Sequence, residues 1–311
     1  MRCTVFVVAA VLLAGSAFAQ IPNVKQRVTG NLNNAVEQHN EDLNNAMNGT
    51  DNQQQQQQMQ QPQQPGSVDG VTAGWITRPA KDGKTKVRLY FAYPQNLSKQ
   101  NPVPGLIVLQ EWWGVNDDIQ DRTRDFAKHG FYAVAPDLYN GQVTDEPLKA
   151  AQLKQEMRNP IAMVDMRTGL DLLTEEEGNG VVDPTRVGAI GWCMGGEQCL
   201  LLSLADPHVK ATVIFYGPLV TDPERLKSLQ GPVLGIFGNN DKNPSPSDVD
   251  KFKQGLGAAG KTDITIYQYD GVGHAFASKA ADKLGLYNPD KAQEAWQRTW
   301  GWLDAKLLQK K

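Results

Sequence analysis

From about Val71 onward, short apolar runs alternate with stretches whose apolar residues recur every three or four positions. The runs 86–92, 105–110, 131–135, 186–190, 211–216, 233–237 and 264–269 have the length and composition of buried strands. Strands that alternate in this way with helical segments predict an α/β domain, a mostly parallel central sheet with helices on both faces. Several helix starts are marked. Asn116, followed by Asp117 and Asp118, reads as an N-cap with an acidic first turn for a helix running to Lys128, so this carboxylate cluster caps a helix rather than holding a metal. Ser245-Pro246-Ser247-Asp248 reads as a capping box with proline at the first helical position, opening a helix towards Ala259. A leucine-rich helix is predicted over 195–205. The last helix begins near Asn288-Pro289 and carries Trp296, Trp300, Leu303 and Leu307 on one face, a core stripe.

The N-terminal part reads differently. Residues 20–70 are polar and Asn/Gln-rich, ending in QQQQQQMQQPQQPG, with too little apolar area to offset the entropy of ordering. They are expected to form a disordered tether, although Val24, Val28, Leu32 and Val36 recur every four residues as a marginal helix would require. Residues 1–19 have the form of a signal peptide: Arg2, an apolar stretch over 5–13, and Ala17-Phe18-Ala19 before a cleavage point at Gln20. The expected organisation is therefore signal peptide 1–19, tether 20–70 and folded domain 71–311, in a secreted or periplasmic protein. No later apolar run reaches the roughly 20 residues that a membrane helix needs.

Charge and cysteine content narrow the function classes. The formal net charge is -3 in 311 residues, and losing Arg2 with the signal peptide makes it more negative still. There is no basic block to neutralise a phosphate backbone, which argues against nucleic acid as a partner. Beyond Cys3, only Cys193 and Cys199 remain. Six residues along one helix place their Cα atoms about 9 Å apart, beyond disulfide reach, so both are expected to be free thiols.

Cys193 lies in GWCMGG, between a predicted strand and a predicted helix. A strand-to-helix turn flanked by glycines is what a nucleophile elbow requires: the reactive side chain stands clear of the backbone, and the sharp turn leaves no room for neighbouring Cβ atoms. In open α/β sheets the partners of such a nucleophile sit on loops beyond later strands, an acid first and a histidine after it. Asp241 in GNNDKNP and His274 in GVGHAF occupy those places in that order. His39, His129 and His208 fall in the tether, at a helix end and near a turn, where solvated surface roles are the default. The competing reading of Cys193 is a small buried residue beside a glycine-packed helix.

QEWWGVN (110–116), APDLYNG (135–141), GWCMGG, GNND and GHAFA (273–277) follow one another in the order seen in the dienelactone hydrolase family of α/β-hydrolases, which the chain resembles over nearly everything after residue 70. The resemblance implies the catalytic triad Cys193, Asp241 and His274, and an oxyanion hole formed by the backbone N–H groups of Met194 and Trp112. It also implies that Glu111 contacts the resting thiol. A carboxylate there would oppose ionisation of Cys193 and keep it a protonated, oxidation-resistant thiol until substrate arrives. The activity implied is that of a carboxylic ester hydrolase of the carboxymethylenebutenolidase type, working through a thioester on a small ester or lactone without metal or organic cofactor. Family members that hydrolyse dienelactone hold its carboxylate with arginines, whereas the matching places here are Asn140-Gly141-Gln142 and Ser278. A neutral substrate is therefore expected, with Trp112, Trp113 and Tyr139 at an apolar pocket mouth. The alternative from another class is a secreted, non-catalytic binding protein on a hydrolase scaffold, with the glutamine-rich arm as its working part.

Overall fold

The computed structural model describes residues 66–175 and 180–309. The expectations for residues 1–65, the signal peptide and most of the tether among them, lie outside the described residues. One nine-stranded sheet organises the rest, in the order β1-β2-β3-β5-β4-β6-β7-β8-β9. Its strands are β1 (Gly66–Val68), β2 (Val71–Pro79), β3 (Lys86–Pro94), β4 (Val103–Leu109), β5 (Tyr132–Pro136), β6 (Val182–Trp192), β7 (Ala211–Phe215), β8 (Val233–Gly238) and β9 (Ile264–Tyr269). β1, β2 and β3 run antiparallel to their neighbours, and everything from β5 to β9 is parallel. Parallel β5 and β4 lie in reversed spatial order, so chain crossovers cover both faces.

All seven predicted strands form, and two further ones precede them. β1 lies in the stretch read as tether, so the folded part begins before residue 71. The sequence of β2, VTAGWITRP, is broken by Gly74 and Pro79, which by composition punctuate a turn. Its order comes from the ladder instead, with a register running from Val71 opposite Pro94 to Pro79 opposite Lys86.

The helices are α1 (Asp117–Lys128), α2 (Pro147–Glu156), α3 (Asn159–Thr174), α4 (Met194–Ala205), the short α5 (Pro223–Leu226), α6 (Pro246–Ala258) and α7 (Pro289–Leu303). α1 starts as its sequence requires: the Asn116 side chain accepts a hydrogen bond from Ile119 N. The capping box of Ser245 and Asp248 opens α6 with both reciprocal bonds made. One sheet face packs against α1 and α7 through residues such as Phe126, Trp192, Ala295 and Leu303. The other is covered by α2, α3 and α4 through Leu153, Met166, Leu170 and Cys199, and a third cluster joins α6 to β7 and β8 through Phe252, Ile214 and Phe237. Trp296 and Trp300 are only half-buried at the edge of the first cluster, while Leu303 and Leu307 complete the predicted stripe inside it.

Candidate active site

Every residue singled out for chemistry stands just beyond the carboxyl end of a strand in the parallel part of the sheet. Glu111 and Trp112 follow β4, Tyr139 follows β5, Cys193 follows β6, Asp241 follows β8 and His274 follows β9. This is the edge at which an open α/β sheet places its ligands.

β6 ends at Trp192 and α4 starts at Met194, which leaves Cys193 alone to make the turn, with φ 54° and ψ -119°. A non-glycine residue at positive φ is strained and persists only where its surroundings impose it. Here Cys193 N donates to Phe215 O at 2.9 Å, and Gly196 N returns to Cys193 O at 3.1 Å. The flanking glycines are required sterically: a Cβ on Gly191 would overlap the Gly195 carbonyl, and one on Gly195 would overlap the carbonyl oxygens of Leu109 and Gln110. β4, β6 and α4 therefore meet backbone to backbone, and the Cys193 side chain is left at the rim, half-buried.

The thiol is met there by an imidazole. His274 Nε2 lies 3.0 Å from Cys193 Sγ, and His274 Nδ1 lies 2.9 Å from Asp241 Oδ2. Asp241 is itself buried and fixed by accepting a hydrogen bond from Asn243 N at 2.9 Å. The Tyr216 ring packs edge-on against the imidazole with centroids 5.3 Å apart. Burial disfavours an imidazolium, but the hydrogen bonds to Asp241 and Cys193 and their charges outweigh it, and the His274 pKa is pushed up to about 10. Cys199 is a free thiol on the buried face of α4, and burial pushes its pKa up to about 12, which disfavours its thiolate.

Glu111 departs from expectation. It is 3 % exposed and no hydrogen bond joins it to Cys193. Its Oε2 accepts from Ser278 Oγ at 2.5 Å, and its Oε1 accepts a long hydrogen bond, 3.5 Å, from Tyr216 Oη. The physical reason is competition. The thiol has the His274 ring, while a buried carboxylate takes the nearest hydroxyl donors and the field of the buried Arg122. Burial pushes the Glu111 pKa up, opposed by Arg122 and by the Ser278 bond. Arg122 is held in turn by Asp118, 2.6 Å away, and by the Trp192 ring, 4.3 Å from its guanidinium.

A cavity of about 340 Å³ opens over the thiol. Trp112 and Trp113 form part of its wall as expected, together with Leu284 and Leu286, each 42 % exposed. Tyr139 is not in that wall. It is 5 % exposed, and its hydroxyl donates to Met194 Sδ at 3.2 Å beneath the elbow. Its aromatic ring packs in the core on the α4 side of the sheet, where apolar area is better hidden than at an open mouth. Met194 opens α4, so its N–H is among the helix's first four, which have no intrahelical acceptor. Trp112 faces the same cavity from the β4 loop.

Sequence reasoning missed several members of this site. Lys154 from α2 and Lys242 beside Asp241 also line the cavity, from elements that no motif marked. Tyr216 and Ser278 carry no mark in the sequence as partners of Glu111. The one signal for Ser278 is its place shortly after the histidine, where the motif shows only the lack of a cation. No group of metal-ligating side chains able to hold an ion is found among the described residues.

The comparisons with known proteins agree with this fold. Residues 88–307 match the dienelactone hydrolase family. A protein of Methylorubrum extorquens named "Putative carboxymethylenebutenolidase" is 33 % identical over 247 residues, covering 76 % of this chain and 81 % of its own. Protein usf of Aquifex pyrophilus is 33 % identical over 241 residues, 73 % of this chain and 96 % of its own. Among solved structures, a dienelactone hydrolase-like promiscuous phosphotriesterase from metagenomic libraries superposes with a TM-score of 0.66 at 25 % identity, covering 76 % of this chain and 99 % of that one. With a family match over residues 88–307 and a relative 33 % identical that is covered to 81 % of its length, the chain belongs to the dienelactone hydrolase family and is a carboxylic ester hydrolase on the α/β-hydrolase fold.

Proposed function

We propose that this chain hydrolyses a small ester or lactone through a Cys193–His274–Asp241 triad and a thioester intermediate. The observation that carries the reading is the unbroken run of contacts from Asp241 through the imidazole to the sulfur, 2.9 and 3.0 Å, at the floor of a cavity. Asp241 accepts a hydrogen bond from Nδ1–H and orients the ring, and the raised pKa of the imidazole favours transfer of the thiol proton to Nε2, giving a thiolate–imidazolium pair. The sulfur attacks the carbonyl carbon, and the charge that develops on oxygen is held by the N–H groups of Met194 and Trp112. Collapse of this adduct breaks the carbon–oxygen bond, and His274 returns the proton to the departing alcohol. Water, deprotonated by the same ring, then attacks the thioester and the sulfur leaves.

The substrate is expected to be neutral, since Lys154 and Lys242 line the cavity together with the carboxylates of Glu111 and Asp241. Intact-mass analysis during turnover of p-nitrophenyl acetate should find one acyl group, on the Cys193 peptide. An adduct elsewhere overturns the triad, and hydrolysis-deficient protein with no adduct at all is the result that a binding protein would give.

For residues 1–19 we infer removal on export to the periplasm or the exterior. N-terminal sequencing of the mature protein should then begin at Gln20, and a mature chain still carrying Met1 overturns this.

A further inference from the structure

We propose that Ser278 is a positioning residue whose hydroxyl tethers Glu111 clear of Cys193, so that the thiol is paired with His274 before any substrate binds. This rests on Cys193 being the nucleophile. Three observations lead to it. Glu111 lies in the wall of the same cavity as Cys193, and both of its oxygens accept from hydroxyls rather than from the thiol, one from Ser278 at 2.5 Å and the other from Tyr216 at 3.5 Å. Ser278 is fully buried, and its backbone N–H bonds to Ala275 O at 3.0 Å, so the hydroxyl belongs to the same short loop that carries His274. The sulfur, for its part, is already at hydrogen-bond distance from the imidazole.

A buried carboxylate beside a thiol is a hazard to a nucleophile. Turned towards the sulfur, it accepts the S–H proton in a hydrogen bond and repels the thiolate, and either effect raises the thiol pKa. A short bond from a fully buried hydroxyl to a charged acceptor is among the stronger neutral-donor bonds, and burial strengthens it further. The loop that delivers the base therefore also restrains the one acid able to disarm the nucleophile. The charged groups that act on Glu111 are Arg122 and Asp118 on α1 and His274, with Tyr216 and Ser278 as its hydroxyl partners; Lys154 and Lys242 line the same cavity.

The test is the pH dependence of Cys193 alkylation by iodoacetamide, in which the thiolate displaces iodide, read on the Cys193 peptide by mass spectrometry. Ser278→Ala should shift the midpoint upward by about one pH unit and slow alkylation about tenfold at pH values below it. Adding Glu111→Gln to that variant should restore the wild-type profile, because an amide carries no charge to repel the thiolate. Glu111→Gln alone should change the rate by less than about threefold, since the carboxylate it replaces is already held away. An unmoved midpoint in Ser278→Ala, a shift that the second substitution does not reverse, or a tenfold acceleration by Glu111→Gln alone would each overturn the assignment. Should Ser278→Ala not fold, the Glu111→Gln profile decides alone. Because the readout is alkylation rather than hydrolysis, a failure here is separable from a failure of the triad, which would appear as esterase activity surviving loss of the sulfur.

Discussion

Cys193→Ala is expected to lower kcat/KM for p-nitrophenyl acetate by at least about a thousandfold while leaving the thermal transition within a few degrees of wild type. Loss of a nucleophile from a cooperating triad costs as much as loss of the triad itself, because neither the base nor its orienting acid has anything left to act on. Some residual rate should survive, from the oxyanion donors and from binding alone. Folding should be little affected. Cys193 is half-buried at the rim, its backbone bonds to Phe215 and Gly196 do not involve sulfur, and alanine accepts the strained φ of 54° about as well as cysteine does. Parallel assays of hydrolysis and thermal unfolding check this. Activity within tenfold of wild type, in protein folded to the same extent, would remove Cys193 from the chemistry.

The second large effect is on folding. Gly195→Ala should destabilise the domain by about 3 kcal/mol and lower ester hydrolysis with it, because the added Cβ would overlap the backbone carbonyl oxygens of Leu109 and Gln110. A side chain in the way can rotate aside, but these oxygens belong to the end of β4 and the first residue of the loop that carries Glu111 and Trp112. Relieving the overlap means separating α4 from β4, which moves the elbow relative to Trp112. Gly257→Ala is the matched control. That glycine lies in α6, and a Cβ added to it would meet nothing within 4 Å, so the same methyl should be neutral or stabilising by up to about 1 kcal/mol. Urea midpoints of the two variants should move in opposite directions, and equal midpoints would refute the account of the elbow.

Much of the site was legible in the sequence because two general rules converge on it. Buried parallel strands announce themselves as short apolar runs, and functional groups follow their carboxyl ends. Cys193, Asp241 and His274 are each identifiable in that way, and the structure brings the three side chains into contact. The partners of Glu111 escape because they are set by packing over long separations, 167 residues to Ser278 and 105 to Tyr216, which no local pattern encodes. Tyr139 misleads for a related reason. A tyrosine beside a motif looks like a pocket residue, yet its ring finds apolar cover beneath the elbow and its hydroxyl finds the Met194 sulfur. The antiparallel strands β1 and β2 are hidden by composition, one inside a polar segment and the other broken by glycine and proline; β2 exists because β3 offers it a ladder, and β1 because β2 does.

The segment after β9 bears the imidazole at His274 and continues, through the 3-10 turn Lys279–Leu284, to Leu286, so that it also supplies Leu284 and Leu286 to the cavity wall. Selectivity and proton transfer are thus written into one contiguous stretch of chain. On the proposed mechanism, reshaping that wall would move the segment that carries His274 as well, whereas α2 contributes Lys154 to the cavity from a separate stretch. Divergence among enzymes built on this plan should therefore concentrate on the α2 side of the opening.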